Sequence, residues 1–311
     1  MSKYLSTFIK NQASLPKFSG MDKKVNHWLL FGILSLIWGS SFILMKEGLT
    51  QLSPYQVASI RMLFAGLVLL PFAFRALKKI PKEKMGLVLI SGIIGNFIPA
   101  YLFCIAETKI DSALAGILNS LTPLFTILVG LFFFKLPSNN KKMVGVLVGF
   151  IGLCLLIASG KNIGFENLSY AALVLVATFF YGLNVNMVGK FLQNIRALDI
   201  ASVAFAFLIL PSLIFLYSTG YFNINFKDPA VINATLSSIC LGVIGTSISS
   251  ILFYMLIKRS SIVFASMVTY GIPIVAVAWG LYFGETISLL QVGSLLIILA
   301  GVYIVNKPQQ Q

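Results

Sequence analysis

Ten stretches of mostly apolar residues alternate with short polar breaks along the chain: 28–45, 54–74, 85–106, 112–134, 143–158, 168–190, 199–218, 231–257, 262–283 and 287–305. A helix needs about 20 apolar residues to cross the hydrocarbon core of a bilayer. All but the short fifth stretch come close to that length or exceed it. The pattern predicts an all-α integral membrane protein of ten transmembrane helices. Composition agrees, with 58% hydrophobic and only 10% charged residues among 311. A soluble domain carries about 25% charged residues.

The polar breaks are not equivalent. Of the 23 Lys and Arg residues, all but five fall in alternate breaks, counted from the N-terminal tail through to the C-terminus. The exceptions are Lys46, Lys109, Lys161 and Lys227 in the other breaks, and Arg61 inside a span. Basic residues collect on the cytoplasmic side, so both termini are expected to be cytoplasmic. This topology accounts for the formal net charge of +14 without a nucleic-acid partner, because the bases are scattered between spans. Residues 1–27 read as a polar cytoplasmic tail. They lack the compact apolar core and small-residue cleavage site of a signal peptide, and Met21 opens a stretch more usual as the start of a multispan protein. Cys104, Cys154 and Cys240 lie within apolar spans, where cysteine behaves as a small hydrophobe. No disulfide, metal site or cofactor is expected, and the single histidine, His27, reads as interfacial.

The chain also resembles itself. "GNFIPAYLFCIAETKIDSALAGILNSLTPLFTILVGLFFF" begins at Gly95 and "GTSISSILFYMLIKRSSIVFASMVTYGIPIVAVAWGLYFG" at Gly245. At a constant offset of 150, Gly95 meets Gly245, Phe103 meets Phe253, Pro123 meets Pro273 and Gly130 meets Gly280. The first spans match less well, "WGSSF" at 38–42 standing opposite "YGLNV" at 181–185. The halves are residues 28–158 and 168–305, of five helices each. An odd number of crossings makes the two halves enter the membrane in opposite directions. Inverted repeats of this kind recur in secondary transporters, with the substrate site near the midplane where the repeats meet.

"WGSSF" in the first span, Pro54 and Arg61 in the second, "SALAGILNSLTPLF" in the fourth and "GETISLLQVGSLLIILAGVYIV" at the end resemble the drug/metabolite transporter superfamily, and within it the family of paired EamA domains. The resemblance covers about residues 28 to 305. It implies a ten-helix secondary carrier of the cytoplasmic membrane, commonly an exporter of amino acids or other small metabolites. Lys135, where such domains often carry Glu, and "FFYGLNV" in place of a second Trp-Gly motif depart from the pattern and weaken inference of substrate.

Several residues are candidates for carrying transport. Gly32, Ser35 and Gly39 share one helical face, which either lets helices approach closely or makes room for a cavity bordered by Trp38 and Ser40, a reading the family pattern favours. Pro123 and Pro273 lack the N–H that would bond the carbonyl four residues back. Those carbonyls belong to Asn119 and Thr269, so each half is expected to place a hinge and a polar group at mid-span, unless Ser120 or Thr122 absorbs the polarity. Arg61 is the only charge well inside a span, and such a charge is functional by default. It is expected either to gate by reaching outward to Glu47, Glu107 or Asp111, or to hold a substrate carboxylate. Asn96, Tyr101, Tyr181, Asn184, Thr246 and Tyr270 are further cavity candidates. The expected binding set is Trp38, Ser40, Asn96, Asn119, Tyr181, Thr269 and Tyr270, with Arg61, Pro123 and Pro273 as gate or hinges.

Other classes fit less well. An intramembrane hydrolase needs an Asp pair, a Ser–His pair or metal ligands, and no span holds a deep Asp or Glu. A channel would show a filter motif or a ring of charge. The expected function is export of a small-molecule solute across the lipid bilayer by alternating access, with an importer or a nucleotide-sugar-type exchanger as the alternative.

Overall fold

The computed structural model describes residues 27–135, 140–158, 165–260 and 262–306; the N-terminal tail lies outside them. The first half contributes α1 (His27–Gly48), α2 (Pro54–Leu77), α3 (Lys82–Gly92), α4 (Ile98–Ala106), α5 (Ser112–Asn119), α6 (Thr122–Phe132) and α7 (Asn140–Ala158). The second contributes α8 (Phe165–Phe191), α9 (Ala197–Ser218), α10 (Pro229–Gly242), α11 (Ser249–Arg259), α12 (Ile262–Ser266), α13 (Val268–Tyr282) and α14 (Leu289–Asn306). Among the described residues, eight helical spans are long and apolar enough to cross a membrane; Leu147–Leu156 and Leu289–Gly301 are shorter apolar helices.

Two kinds of interruption recur in both halves. α3 passes into α4 through a π-helical segment, Ile93–Phe97, and α10 passes into α11 through another, Val243–Ile248. The two segments begin 150 residues apart, at the offset read from the sequence. The second interruption separates α5 from α6 and α12 from α13. Ser120 N bonds the Ile117 carbonyl at 3.0 Å and Leu121 N the Leu118 carbonyl at 3.1 Å, tightening the chain between α5 and α6. Met267 N bonds the Phe264 carbonyl at 3.1 Å between α12 and α13. Pro123 lies in the first turn of α6, whereas Pro273 lies inside α13, more than a turn beyond its break.

Packing repeats as well. α1 packs on α13 as α6 packs on α8, while α2 packs on α9 and α7 on α14. Glycines set the close approaches. A Cβ on Gly39 would meet Val275 and lie 2.9 Å from the Ile272 carbonyl oxygen. A Cβ on Gly182 would lie 2.9 Å from the Thr126 amide nitrogen and the Phe125 carbonyl carbon. Val275 and Phe125 are again 150 apart, so Gly39 and Gly182 are equivalent positions, separated by 143. Gly95 abuts Asn184 as Gly245 abuts Ser41, and Gly92 abuts Ala204 as Gly242 abuts Arg61. The first two spans of each half are thus offset by 143 and the later ones by 150, a seven-residue difference in the intervening connections. This is why "WGSSF" and "YGLNV" fall out of register with the rest.

Orientation follows from contacts along the helices. Ser35 donates to the Val268 carbonyl, Ser40 accepts from Trp279, and Lys46 pairs with Glu285. α1 and α13 therefore run in the same direction. Gly182 lies beside Thr126 and Lys190 donates to the Phe134 carbonyl, so α8 and α6 also run together. Lys46, near the end of α1, reaches Asp111 just before α5, while Lys190, near the end of α8, reaches the residues just after α6. The ends of α1 and α8, equivalent in the repeat, thus lie at opposite ends of the α5–α6 span.

Gly32 does not take part in close packing, because a Cβ there would meet nothing within 4 Å. The small-residue face of α1 works through Ser35 and Gly39 alone.

Candidate functional site

Both halves contribute walls to a cavity of about 80 Å³. Its walls come from both repeats and from the interruptions just described. Trp38, Ser41, Phe42 and Met45 enter from α1, Arg61 from α2, and Gly95 and Asn96 from the first π segment. Asn119 and Thr122 flank the break between α5 and α6, and Thr269 follows that between α12 and α13. α8 supplies Tyr181, Asn184 and Val185. Phe103 faces in from α4 and its repeat partner Phe253 from α11, beside Ser250 and Tyr254.

Hydrogen bonds hold these walls. Trp38 Nε1 donates to the Gly245 carbonyl at 3.1 Å and to Ser249 Oγ at 3.0 Å, fixing the indole against the second π segment. Its ring meets Phe253 edge-on at 5.0 Å between centroids, and Phe103 stacks on Tyr181 at 6.0 Å. Ser91 Oγ donates to Asn184 Oδ1 at 2.7 Å. Thr122 Oγ1 donates to the Asn119 carbonyl at 2.7 Å and lies 3.2 Å from Asn119 Oδ1. The carbonyl freed by Pro123 is thus taken up by Thr122, the second of the two outcomes the sequence allowed. Thr269 Oγ1 donates to the Ser266 carbonyl at 2.8 Å, tying α13 back across its break.

Arg61 does not reach outward to a carboxylate. It is 9% exposed, lines the cavity, and donates from Nε to Thr246 Oγ1 at 2.7 Å. The π turn aims Thr246 at it, and Thr246 Oγ1 also bonds the Leu241 carbonyl five residues back at 3.0 Å. No ion pair joins Arg61 to a carboxylate among the described residues.

At one end the lining residues lead into a charged cluster. Met45 and Phe103 line the cavity; Lys46 and Glu107 come next. Lys46 Nζ lies 3.0 Å from Glu285 Oε1 and 3.3 Å from Asp111 Oδ1. Glu285 also accepts from the Ser112 and Ala113 amides at 3.1 and 3.0 Å, where the start of α5 offers free N–H groups. Glu107 is 4% exposed and takes one bond, from Ser112 Oγ at 3.3 Å, while its Oε1 has no partner. Burial pushes its carboxyl well above the usual range, against the opposing pull of the Lys46 charge.

The structure gathers Trp38, Asn96, Asn119, Tyr181, Thr269 and Arg61 around one cavity, but not every expected residue. Ser40 points away, its hydroxyl accepting from Trp279 Nε1 at 2.8 Å; neighbouring residues on a helix face directions about 100° apart, so Ser41 lines the cavity instead. Tyr270 is half-buried against the core and does not line it. Phe103, Phe253, Tyr254, Ser250 and Thr122 were missed. The symmetry could have found the first two, since Phe103 and Phe253 are a repeat pair.

A cavity lined by both structural repeats of a multi-pass helical protein is the arrangement expected of a membrane transporter. The family model of EamA-like transporters matches residues 26–158 and again 168–307, and the chain belongs to that family. The family is one of transporters, not enzymes, and such a protein sits in a membrane and handles a small-molecule solute. An uncharacterized transporter of Archaeoglobus fulgidus is 24% identical over 290 residues, covering 90% of this chain and 98% of that protein. A probable amino-acid metabolite efflux pump of Salmonella typhimurium is 26% identical, covering 88% and 92%. The uncharacterized inner membrane transporter YedA of Escherichia coli is 27% identical, covering 89% and 90%. A solved crystal structure shares the fold, with a TM-score of 0.64 at 15% identity over 90% of this chain and 96% of the other.

Proposed function

We propose that the protein exports amino acids or related small metabolites across the cytoplasmic membrane by alternating access. In this reading it has ten spans in two inverted five-helix repeats, 28–158 and 168–305, with a tail of residues 1–27 and both termini in the cytoplasm. One observation carries it: the cavity walls come from equivalent positions of the two halves, at the points where their helices are interrupted. Such interruptions are tolerated at membrane depth where they line a cavity, and they are where a helix can bend at little cost. The halves rock about this cavity. Pro123 and Pro273 keep the fourth and ninth spans bendable, and Trp38, Asn96, Asn119, Tyr181 and Thr269 face the solute. The amino-acid assignment draws on the name given to the Salmonella typhimurium relative.

The test is a metabolite profile of the medium around cells expressing the protein, beside an empty vector and a well-expressed variant carrying Pro123→Ala and Asn119→Leu. Export predicts a small set of solutes, amino acids among them, raised outside by the native protein alone. No difference, with the protein present in the membrane, refutes export; uptake that requires preloaded counter-substrate would then identify exchange.

A further inference from the structure

The cavity is electrically lopsided. Arg61 is the only charged residue among those that line it. Its equivalent in the second repeat is Ala204, as the contacts of Gly242 with Arg61 and of Gly92 with Ala204 establish. A symmetric scaffold therefore carries one unsymmetric charge. A guanidinium keeps its charge in proteins, and a buried charge is costly unless it is paired.

Among the described residues no carboxylate forms an ion pair with it. Arg61 uses one donor, Nε, on neutral Thr246, and its side chain makes no other hydrogen bond to the described residues. Glu107 is a buried carboxyl within electrostatic reach of Arg61, but it bonds Ser112 and forms no ion pair with Arg61. Burial holds it towards its neutral form. Elsewhere the walls are aromatic (Trp38, Phe103, Tyr181, Phe253) or neutral and polar (Asn119, Thr269).

We infer that Arg61 is a carboxylate seat, and that the transported solutes carry one carboxylate as their only anionic group, on a largely apolar body without a charged side chain. This rests on the transport reading and narrows its substrate. The two terminal nitrogens of a guanidinium match a carboxylate in a planar, two-bond fork. Thr246 holds the side chain by Nε, and no described residue bonds the two terminal nitrogens. The aromatic walls take an apolar body. A second anionic group has no second cation to meet, and a cationic side chain has no carboxylate among the lining residues. An α-ammonium group is within the capacity of neutral oxygens such as those of Asn119 and Thr122. Because Ala204 offers no counterpart, the solute binds in one orientation.

The experiment uses the full chain in proteoliposomes loaded with an equimolar mixture of the twenty protein amino acids, with release followed by mass spectrometry. Each solute that moves is then compared with its own carboxamide. The native protein is expected to release amino acids with uncharged side chains and to move each amide about tenfold more slowly or worse. Arg61→Gln should lose release of the acids by a similar factor, and Arg61→Lys should keep part of it. Amides released as fast as acids, or undiminished release of the acids by Arg61→Gln, would overturn the inference. If Arg61→Gln does not assemble, the acid–amide comparison on the native protein still decides. A native protein that moves only solutes lacking a carboxylate overturns this inference and leaves transport standing. One that moves nothing, here or in the medium profile, overturns both.

Discussion

Replacing Lys46 with Met tests whether the charged cluster beyond the cavity is a latch. Glu285 is 7% exposed at its side chain, and Lys46 is 37%. Removing one partner of a fully buried ion pair costs about 3–5 kcal/mol, whereas an exposed pair contributes only ~0–1 kcal/mol. Lys46 is more than a third exposed, and Glu285 keeps its bonds to the Ser112 and Ala113 amides. Both facts reduce the cost to about 1–2 kcal/mol, a factor of roughly 5–30 in a two-state ratio. If the cluster forms only when this end is closed, the loss falls on the closed state alone. The readout is a cysteine placed at the cavity position Ser250, in a protein whose three native cysteines are replaced. In the proposed orientation this end faces outward, and labelling of that cysteine by a membrane-impermeant thiol reagent added outside intact cells should quicken by about 5–30-fold in Lys46→Met. Glu285→Gln should also quicken it, and the double substitution should do so by less than the product of the two, because both remove one interaction. Rates unchanged in Lys46→Met, or independent and multiplicative effects, would show that the cluster is equally present in both states.

Gly39→Ala and Gly182→Ala must each push a closely packed helix pair apart, at a cost of ~1–3 kcal/mol for overpacking; both should lower the unfolding midpoint in detergent, while Gly32→Ala leaves it unchanged. Glu107 predicts a pH dependence of definite sign. Its raised pKa favours the neutral form, so its contribution to stability is complete at acid pH and is lost as pH rises through that raised value. Thermal midpoints should therefore fall with rising pH in the native protein more steeply than in Glu107→Gln, and parallel curves would refute the assignment. Pro123→Ala restores an N–H that competes with Thr122 for the Asn119 carbonyl, so it should stiffen the fourth span. Solute flux should drop about tenfold with no loss of thermal midpoint, which flux and melting measurements on one preparation would check.

The sequence makes the repeat legible because glycine and proline mark places where backbones touch or hydrogen bonds fail, and lipid does not randomise those places. Gly95, Gly245, Pro123 and Pro273 announce the symmetry for that reason. The π segments around Gly95 and Gly245 are not legible, since no residue type demands an i to i+5 bond and the apolar residues there suit an α-helix equally well. Rotation about a helix axis is the other loss. In water, the polar face of a helix tells which side is buried; in a bilayer both the lipid and the protein interior are apolar. Ser40 and Ser41 therefore look alike in sequence, and only the pairing of Ser40 with Trp279, 239 residues away, separates them.

The same argument explains Arg61. Its depth in an apolar span marks it, but its direction depends on Thr246, which the second π segment presents from 185 residues away. A carboxylate within reach would have made Arg61 a structural pair. With Thr246 on Nε and Ala204 at its symmetry-related position, the charge instead remains inside the cavity. Symmetry of the scaffold and asymmetry of the charge then have separate consequences. On the proposed alternating-access reading, equivalent packing of the halves lets two conformations have similar free energy, whereas a single guanidinium on one side gives the solute a fixed polarity within them. Substituting Arg61 should therefore change which solutes move while leaving the exchange between conformations intact. Substituting Gly39 or Gly182 should impair the assembly for every solute alike.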